Sequence, residues 1–506
     1  MMKKSIMFLA MALCLAAWCL MASCQRQAGG EQGSGSSAGG KGEVTLTVVN
    51  RVNTEVSTEN NPMLKYIREK YGFNIQLEAP PINNYNDRLQ IIMASGDHPD
   101  IVYTWGWDAN FLRWAESGML NPVDDLVKPY PHIMSNVVQA NLLPVAQAGP
   151  QNLAYGIPRA SSLGRRGYMY NTKWLAKLGM NPPTTIDEFY ELGKAVATQD
   201  PDGNGQNDTF LLSPDANVWD SASLIVWAFL PPSNGAPDFD GVYKIREKMN
   251  GYYPFLEFMR KLYAEKIMDQ EFFINKTYGG REKAFQGRVA LLHTQLGVCE
   301  ENHGKGLGMD LEFALPLKNT AGKRVNYLGA AQWGGWLLPV SSKKTQDALR
   351  FIDWGNSPEG FEILNWGVPG LTYTSYDLKN RTVVQTDEQQ KLWNTVTSTY
   401  MTVANALEGI QAALDRDPQV ALSINQQLTG YLAAVEEIPL PVYRLPEQEE
   451  FNQKNPDLIT QKDQMETKYV VGEIRLEELK AFINNEWLPK YAPVEAAYLK
   501  LMAARK

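Results

Sequence analysis

An α/β fold built around a parallel sheet is what this chain predicts, and three observations carry that expectation. Apolar runs of strand length alternate with stretches of helical periodicity: 44–49, 62–71, 73–77, 85–95 and then 101–103. A strand-helix-strand-helix-strand order implies parallel strands joined by right-handed crossovers. The length of 506 residues leaves room for two or three domains, at about 150 residues each. The composition, 44% hydrophobic and 21% charged, is that of a globular chain with a substantial core.

Each element has a local reason. Residues 44–49 are apolar and β-branched, and Asn50, Arg51 and Asn53 mark their end. Phe73 to Leu77 alternates, with Asn74 and Gln76 facing outward, and Leu89, Ile92 and Met93 share one face of the second helix. Pro99 cannot donate to a sheet ladder and biases His98 away from helix, so Ile101, Val102 and Tyr103 start a fresh buried strand. Trp105 and Trp107 follow at its carboxyl end. Ligands of open α/β sheets bind outside the carboxyl ends of strands, and indole faces there suit a flat partner such as a sugar ring. Further along, Thr185 and Glu188 form a capping box, and Ile186, Phe189, Leu192 and Val196 continue at helical spacing. Ser357 and Pro358 start another helix as cap and first-turn proline.

The amino terminus reads as an address. Lys3 and Lys4 precede an apolar run, Ile6 to Leu20, of signal-peptide length, which ends in Met21-Ala22-Ser23-Cys24. Small residues before a cysteine resemble the bacterial lipobox, in which that cysteine is lipidated and becomes the new terminus. Met21 stands where leucine is usual, and the alternative is an ordinary secretory signal with an incidental cysteine. Residues 1–24 are therefore expected to be a lipoprotein signal peptide ending in lipidated Cys24, and the Gly/Ser-rich residues 25–42 a flexible tether. Of the four cysteines only Cys299 is then left, so no intramolecular disulfide forms in the mature chain. The formal charge of −8 becomes −10 without Lys3 and Lys4, and no basic stripe interleaves with aromatics, which argues against nucleic acid.

The sharpest chemical signal is DPDGNGQNDTFL at 200–211. Asp200, Asp202, Asn204 and Asp208 occupy loop positions one, three, five and nine, Gly205 sits at six, and Gln206 offers its carbonyl at seven. That spacing folds oxygen ligands onto one point and predicts a structural calcium site. Leu211 replaces the bidentate glutamate of position twelve. The alternative is a polar turn that binds no metal.

The order of GDHPDIVYTWGWDANFLRWAESGMLNPVDDLV, YGIPR, GYMYNTKWLAKLGMNPPTTIDEFYELGKAV, FQGRVALL, GWLLPVSS and ALRFIDWGNSPEGFEILNWGVPG resembles the extracellular solute-binding protein family 1, the maltose-binding-like group serving carbohydrate ABC importers. The resemblance runs from about Val44 to Tyr491. It implies a two-lobed periplasmic-binding-protein-like fold, with two parallel-type sheets flanked by helices and a multi-segment hinge. Segments 43–158 and 287–335 would form lobe 1, and 159–286 and 336–506 lobe 2. It also implies calcium in the 200–211 loop, a sugar or oligosaccharide ligand, ABC permease subunits as partners, a lipid-anchored monomer at the extracytoplasmic face of the cell membrane, and no catalysis. Sugar rings would lie on Trp105, Trp107 and Trp333, the last within a Trp-Gly-Gly-Trp run, while Arg51, Asn53 and Asp108 bond hydroxyls. Trp219, Gln295 and Tyr373 complete the expected cleft. Each of these residues has a core or surface role as its alternative. A peptide-binding or sensory lipoprotein of the same fold is the rival function, and a glycan-cleaving enzyme a weaker one. No G-x-S-x-G, zinc motif or phosphate loop occurs.

Overall fold

The computed structural model describes residues 43–50, 60–81, 84–149, 151–160, 166–214, 217–219, 223–231, 236–240, 242–276, 279–295, 308–328, 332–377, 379–380, 382–396, 416–439 and 445–504. The leader, Cys24, the tether, Arg51, Asn53 and Cys299 lie outside the described residues.

The amino-terminal alternation is present as expected: β1 (Val44–Val49), α1 (Pro62–Tyr71), β2 (Phe73–Glu78), α2 (Tyr85–Ser95), β3 (Ile101–Thr104) and α3 (Ala109–Glu116). Asn61 caps α1, its Oδ1 accepting from the Met63 and Leu64 N–H groups at 2.9 and 3.3 Å. Such a cap stabilises a helix by about 1 kcal/mol. Gly72, at φ 77°, ends α1 in the left-handed conformation, where β-carbon crowding disfavours other residues. Met63, Leu64 and Ile67 then bury one face of α1 beneath the sheet.

β1 pairs in parallel with β2 and with β3, the latter through Val48–Ile101 and Val49–Val102. The strand Gln332–Leu337 adds antiparallel to β3, and Ile157–Ala160 adds antiparallel to that, giving a five-stranded mixed sheet. The second sheet has Arg166–Asn171 at its centre with Leu291–Gln295 and Leu311–Ala314 on either side. Both of its pairings are antiparallel, where the family resemblance implied a parallel-type sheet. A third element is the parallel pair of Val325–Leu328 with Glu436–Pro439.

Two large cores follow the two sheets. The first gathers β1 to β3, α1 to α3, Ile157, Trp336 to Leu338 and the helices Thr345–Asn356 and Pro358–Trp366. The second gathers Tyr168 to Leu291 and the carboxyl-terminal helices from Phe451 to Tyr498. This packing differs from the expected segment division at two places. Leu291 to Gln295 pair with the central strand of the second sheet rather than joining lobe 1. Residues 336–368 pack in the first core rather than in lobe 2. Asp100 shows the reason for the second difference: its carboxylate accepts from Thr47 N and Oγ1 at 2.9 and 3.0 Å and from Ser342 Oγ at 2.6 Å. Burial opposes its ionisation, but the Ser342 and Thr47 hydrogen bonds and nearby Lys344 outweigh it and hold the pKa below the usual range. One buried carboxylate thus ties β1, β3 and the 339–344 turn together.

Candidate functional site

The carboxyl edge of the five-stranded sheet is assembled by backbone register. Tyr103 pairs with Trp336 and Trp336 with Ile157; one step further, Thr104 pairs with Gly335 and Gly335 with Pro158. The ladder then slips, since Ala160 pairs with Gln332, leaving Trp333 and Gly334 together opposite Arg159. This is a β-bulge, a device that bends a strand and re-aims side chains at sites. Gly334 has φ 65°, and a β-carbon there would collide with the Thr104 carbonyl and the Tyr103 hydroxyl and stand 2.9 Å from the Trp105 carbonyl. Only glycine lets the bulge press this closely on the end of β3. Thr104 closes the turn from the other side, its Oγ1 donating to the Gly106 carbonyl at 2.7 Å.

Trp105 emerges half-buried from this turn, next to the bulge that carries Trp333. The Trp333 backbone is placed by the strand, whereas its side chain lies outside the described residues, as does that of Gln295. Trp107 is differently occupied. Its six-membered ring edge faces Gly156 and Gly335, where added β-carbons would lie 2.7 Å away, and it meets Phe111 edge-on at 5.0 Å. Trp107 is a wedge against the two crossover strands, packed on the first core. Asp108 is exposed but employed as the cap of α3, its Oδ1 accepting from Asn110 N and Phe111 N at 3.0 and 3.1 Å.

Two expected cleft rings are core rings. Trp219 stacks on Tyr252 at 5.6 Å and 7°, packs on Phe255 at 4.6 Å, carries the Arg246 guanidinium at 4.3 Å and donates its N–H to Glu466 at 2.8 Å. Tyr373 is 3% exposed in a cluster with Phe361, Trp366 and Val383, and its hydroxyl donates to Glu362. Trp336, the second indole of the Trp-Gly-Gly-Trp run, is also fully buried. Large aromatic side chains dominate the energetics of cores as well as of interfaces.

In the 200–211 loop, Asp200 accepts from the N–H groups of Gly203, Asn204 and Gly205 at 2.9 to 3.0 Å. Gly203 and Gly205 both have positive φ, 80° and 84°. Asn204 Nδ2 donates to Asp202 at 2.9 Å and to Asp208 at 3.1 Å, drawing those carboxylates together. Burial and the hydrogen-bonded Asp200 carboxylate raise the Asp202 pKa. Among the described residues no three acidic, histidine or cysteine side chains already converge as metal ligands. Leu211 at position twelve is buried in the second core. The donor chemistry, three carboxylates and an amide oxygen in one tight loop, nevertheless suits a hard cation.

Sequence reasoning did not single out Arg159, which the structure places opposite the bulge with 7% exposure. The signal was available: a lone charge in Ile157-Pro158-Arg159-Ala160, an otherwise apolar strand.

Comparison with known proteins agrees with this architecture. The model of the bacterial extracellular solute-binding proteins matches residues 53–360. Lipoprotein LipO of Bacillus subtilis is 27% identical over 390 residues, 72% of this chain and 74% of that one. The fructooligosaccharide ABC transporter substrate-binding protein FusA of Streptococcus pneumoniae is 24% identical over 311 residues, 57% of this chain and 56% of that one. Its structure with kestose superposes with a TM-score of 0.65 at 16% identity, covering 92% of this chain and all of that one. A crystal structure of the alginate-binding protein AlgQ2 without calcium ion gives a TM-score of 0.67 at 21% identity over 90% of this chain and 98% of that one. With two sheets, two cores and a bulged crossing between them, the chain belongs to the bacterial extracellular solute-binding proteins.

Proposed function

We propose that this chain captures a saccharide at the carboxyl edge of its five-stranded sheet and delivers it to the membrane subunits of an ABC importer. The observation that supports this is the bulge at Trp333 and Gly334 pressed against the end of β3, which brings the Trp333 backbone beside the turn that carries half-buried Trp105. Apolar faces of sugar rings stack on such indoles. A ligand that reaches both lobes shifts an open-closed equilibrium by its differential affinity for the two forms. FusA binds kestose and AlgQ2 binds alginate, so both neutral and acidic saccharides fall within the relatives' range.

Two further assignments belong to the same reading. Cys24 carries the lipid that holds the chain at the extracytoplasmic face, supported by the leader pattern and by the lipoprotein relative. Among the described residues no helix is long and apolar enough to cross a membrane. Calcium occupies the 200–211 loop, held by Asp200, Asp202, Asn204, Gln206 and Asp208, where it neutralises the gathered carboxylates and stiffens the loop.

A thermal-shift screen of the mature chain against saccharides and peptides tests the function. Saccharides should raise the melting temperature and peptides should leave it unchanged; stabilisation by peptides alone would assign the rival function.

A further inference from the structure

Isolated parallel bridges extend the second sheet. Phe210 bridges to Val289 and Leu212 to Met268, so the stretches 210–212 and 267–269 run parallel to the chain that becomes Leu291–Gln295. Gln295 pairs with Arg166, the first residue of the central strand after the crossing from Ala160. Ala160 in turn pairs with Gln332, beyond the level of Gly335 and Thr104, at the carboxyl edge of the first sheet. Both sheets therefore turn the carboxyl ends of their parallel strands towards the crossing, the end at which α/β sheets bind ligands.

Ser213 and Asp269 stand at the ends of the two parallel stretches, and there they meet. Asp269 Oδ2 accepts from Ser213 Oγ at 2.6 Å, Lys283 Nζ at 2.7 Å and Asn275 Nδ2 at 3.2 Å, while Oδ1 accepts from Glu271 N at 3.1 Å. Asn275 Nδ2 also donates to the Pro214 carbonyl at 2.8 Å. Gly280 packs its backbone on the same strand end, where a β-carbon would stand 2.0 Å from the Ser213 carbonyl oxygen. Asp269 is 1% exposed. Burial opposes its ionisation, but Lys283, Ser213 and the Glu271 N–H outweigh it and hold the pKa below the usual range. An amide would not serve in its place, since it offers a single acceptor oxygen and would turn its own N–H groups on one set of these donors.

The chain that leaves this hub is held again further on. Trp219 donates its indole N–H to Glu466, the second buried carboxylate, and Asn217 Oδ1 accepts from Trp219 N at 2.9 Å. One buried anion thus fixes each end of 213–219, a stretch that starts at the carboxyl edge of the second sheet. Buried ion pairs are weak sources of net stability; a defined geometry is the other property they can supply.

We propose that Asp269 is a positioning residue of the second lobe: with Ser213, Asn275 and Lys283 it presets the stretch 213–219 as the surface that meets the saccharide when the lobes close. This rests on the saccharide reading above and adds the second lobe's share of the site. A preset surface loses less conformational entropy on binding, so the gain is in affinity, expressed mainly in the dissociation rate.

Calorimetric titration and hydrogen exchange of the mature chain test the proposal, with kestose, maltotriose and trigalacturonate as probes. D269N and S213A are compared with L479A, a cavity variant at a fully buried position of the same core, well below every melting transition. For the probe that binds the wild type most tightly, D269N should lose about tenfold or more in affinity and S213A about fivefold. Both should raise hydrogen exchange in 213–219. L479A should lower the melting temperature yet keep its affinity within about twofold, which separates positioning from loss of stability. If D269N fails to fold, S213A carries the test. Wild-type affinity in the hub variants, or an equal loss in L479A, overturns the assignment and leaves the saccharide function intact. Binding of none of the probes by the wild type overturns both.

Discussion

Trp107 and Gly156 meet so closely that a β-carbon on the glycine would stand 2.7 Å from the indole. The same ring edge rests on Gly335 of the next strand. One side chain from the end of β3 is thereby wedged against both strands that lead out of the first sheet. This contact explains why glycine occupies position 156, where the backbone does not need a positive φ.

Gly156→Ala is expected to destabilise the chain by about 1–3 kcal/mol through overpacking, because the Trp107 ring, backed by Phe111, has little room to retreat. Urea denaturation checks this. Gly156→Ala in a Trp107→Leu background should cost markedly less, since the two changes share one contact. Equal costs in both backgrounds would show that the ring is not what the methyl meets.

The buried charges of the second core predict an acid limit. Glu466 is 1% exposed, accepts from Lys462 at 2.8 Å and Tyr252 at 2.5 Å, and lies beneath Trp219. Burial opposes its ionisation, but Lys462, Arg246 and these hydrogen bonds prevail and lower its pKa. A depressed folded-state pKa contributes stability above the unfolded value of about 4.3, and that contribution disappears as pH falls through the folded value. Melting temperatures should therefore drop below about pH 4. Glu466→Gln should lower stability at pH 7 by less than the about 3–5 kcal/mol of breaking an isolated buried pair, because Lys462 and Arg246 lose one buried counter-charge while Glu247 remains 3.2 Å from Lys462. Its melting curve should also lose part of the acid dependence.

Calcium should raise the melting temperature of EDTA-treated chain. Saturation at about 100 times the dissociation constant adds about 2.7 kcal/mol. Asp208→Asn and Asp200→Asn should reduce the shift, and Gly205→Ala should impair it through strain at φ 84°. An identical melt in EDTA and in excess calcium would remove the metal from the account.

Replacing Cys24 by serine should release the chain from the membrane fraction into the medium or periplasm. Intact-mass measurement should show loss of the acyl mass. Continued membrane association would mean another anchor.

Much of the first lobe was legible because its signals are local. The helix expected over 62–71 forms at Pro62–Tyr71, and in the second core the Thr185–Glu188 capping box forms as its spacing implied, with Glu188 N to Thr185 Oγ1 at 3.2 Å. Lobe membership was not legible. Leu291 to Gln295 and the helix Thr345–Asn356 have clear periodicity, but periodicity says that a face is buried and not against which sheet. The antiparallel second sheet was hidden for the same reason. Among the expected site residues, Trp105 does follow the end of β3, and the glycine pair beside Trp333 does fall in the bulge. Trp219 and Tyr373 could not be told from core, since a stacked indole and a buried phenol leave no distinct spacing. Arg159 was marked in the sequence only as a lone charge in an apolar strand, and its place opposite the bulge depends on the neighbouring strand.

The central claim, a saccharide held at the carboxyl edge beside Trp105, is tested most directly by calorimetric titration of wild type and Trp105→Ala with the saccharide that most stabilises the wild type. Loss of about 1–3 kcal/mol of binding free energy at an unchanged melting temperature is the predicted result. Unchanged affinity in Trp105→Ala would contradict it.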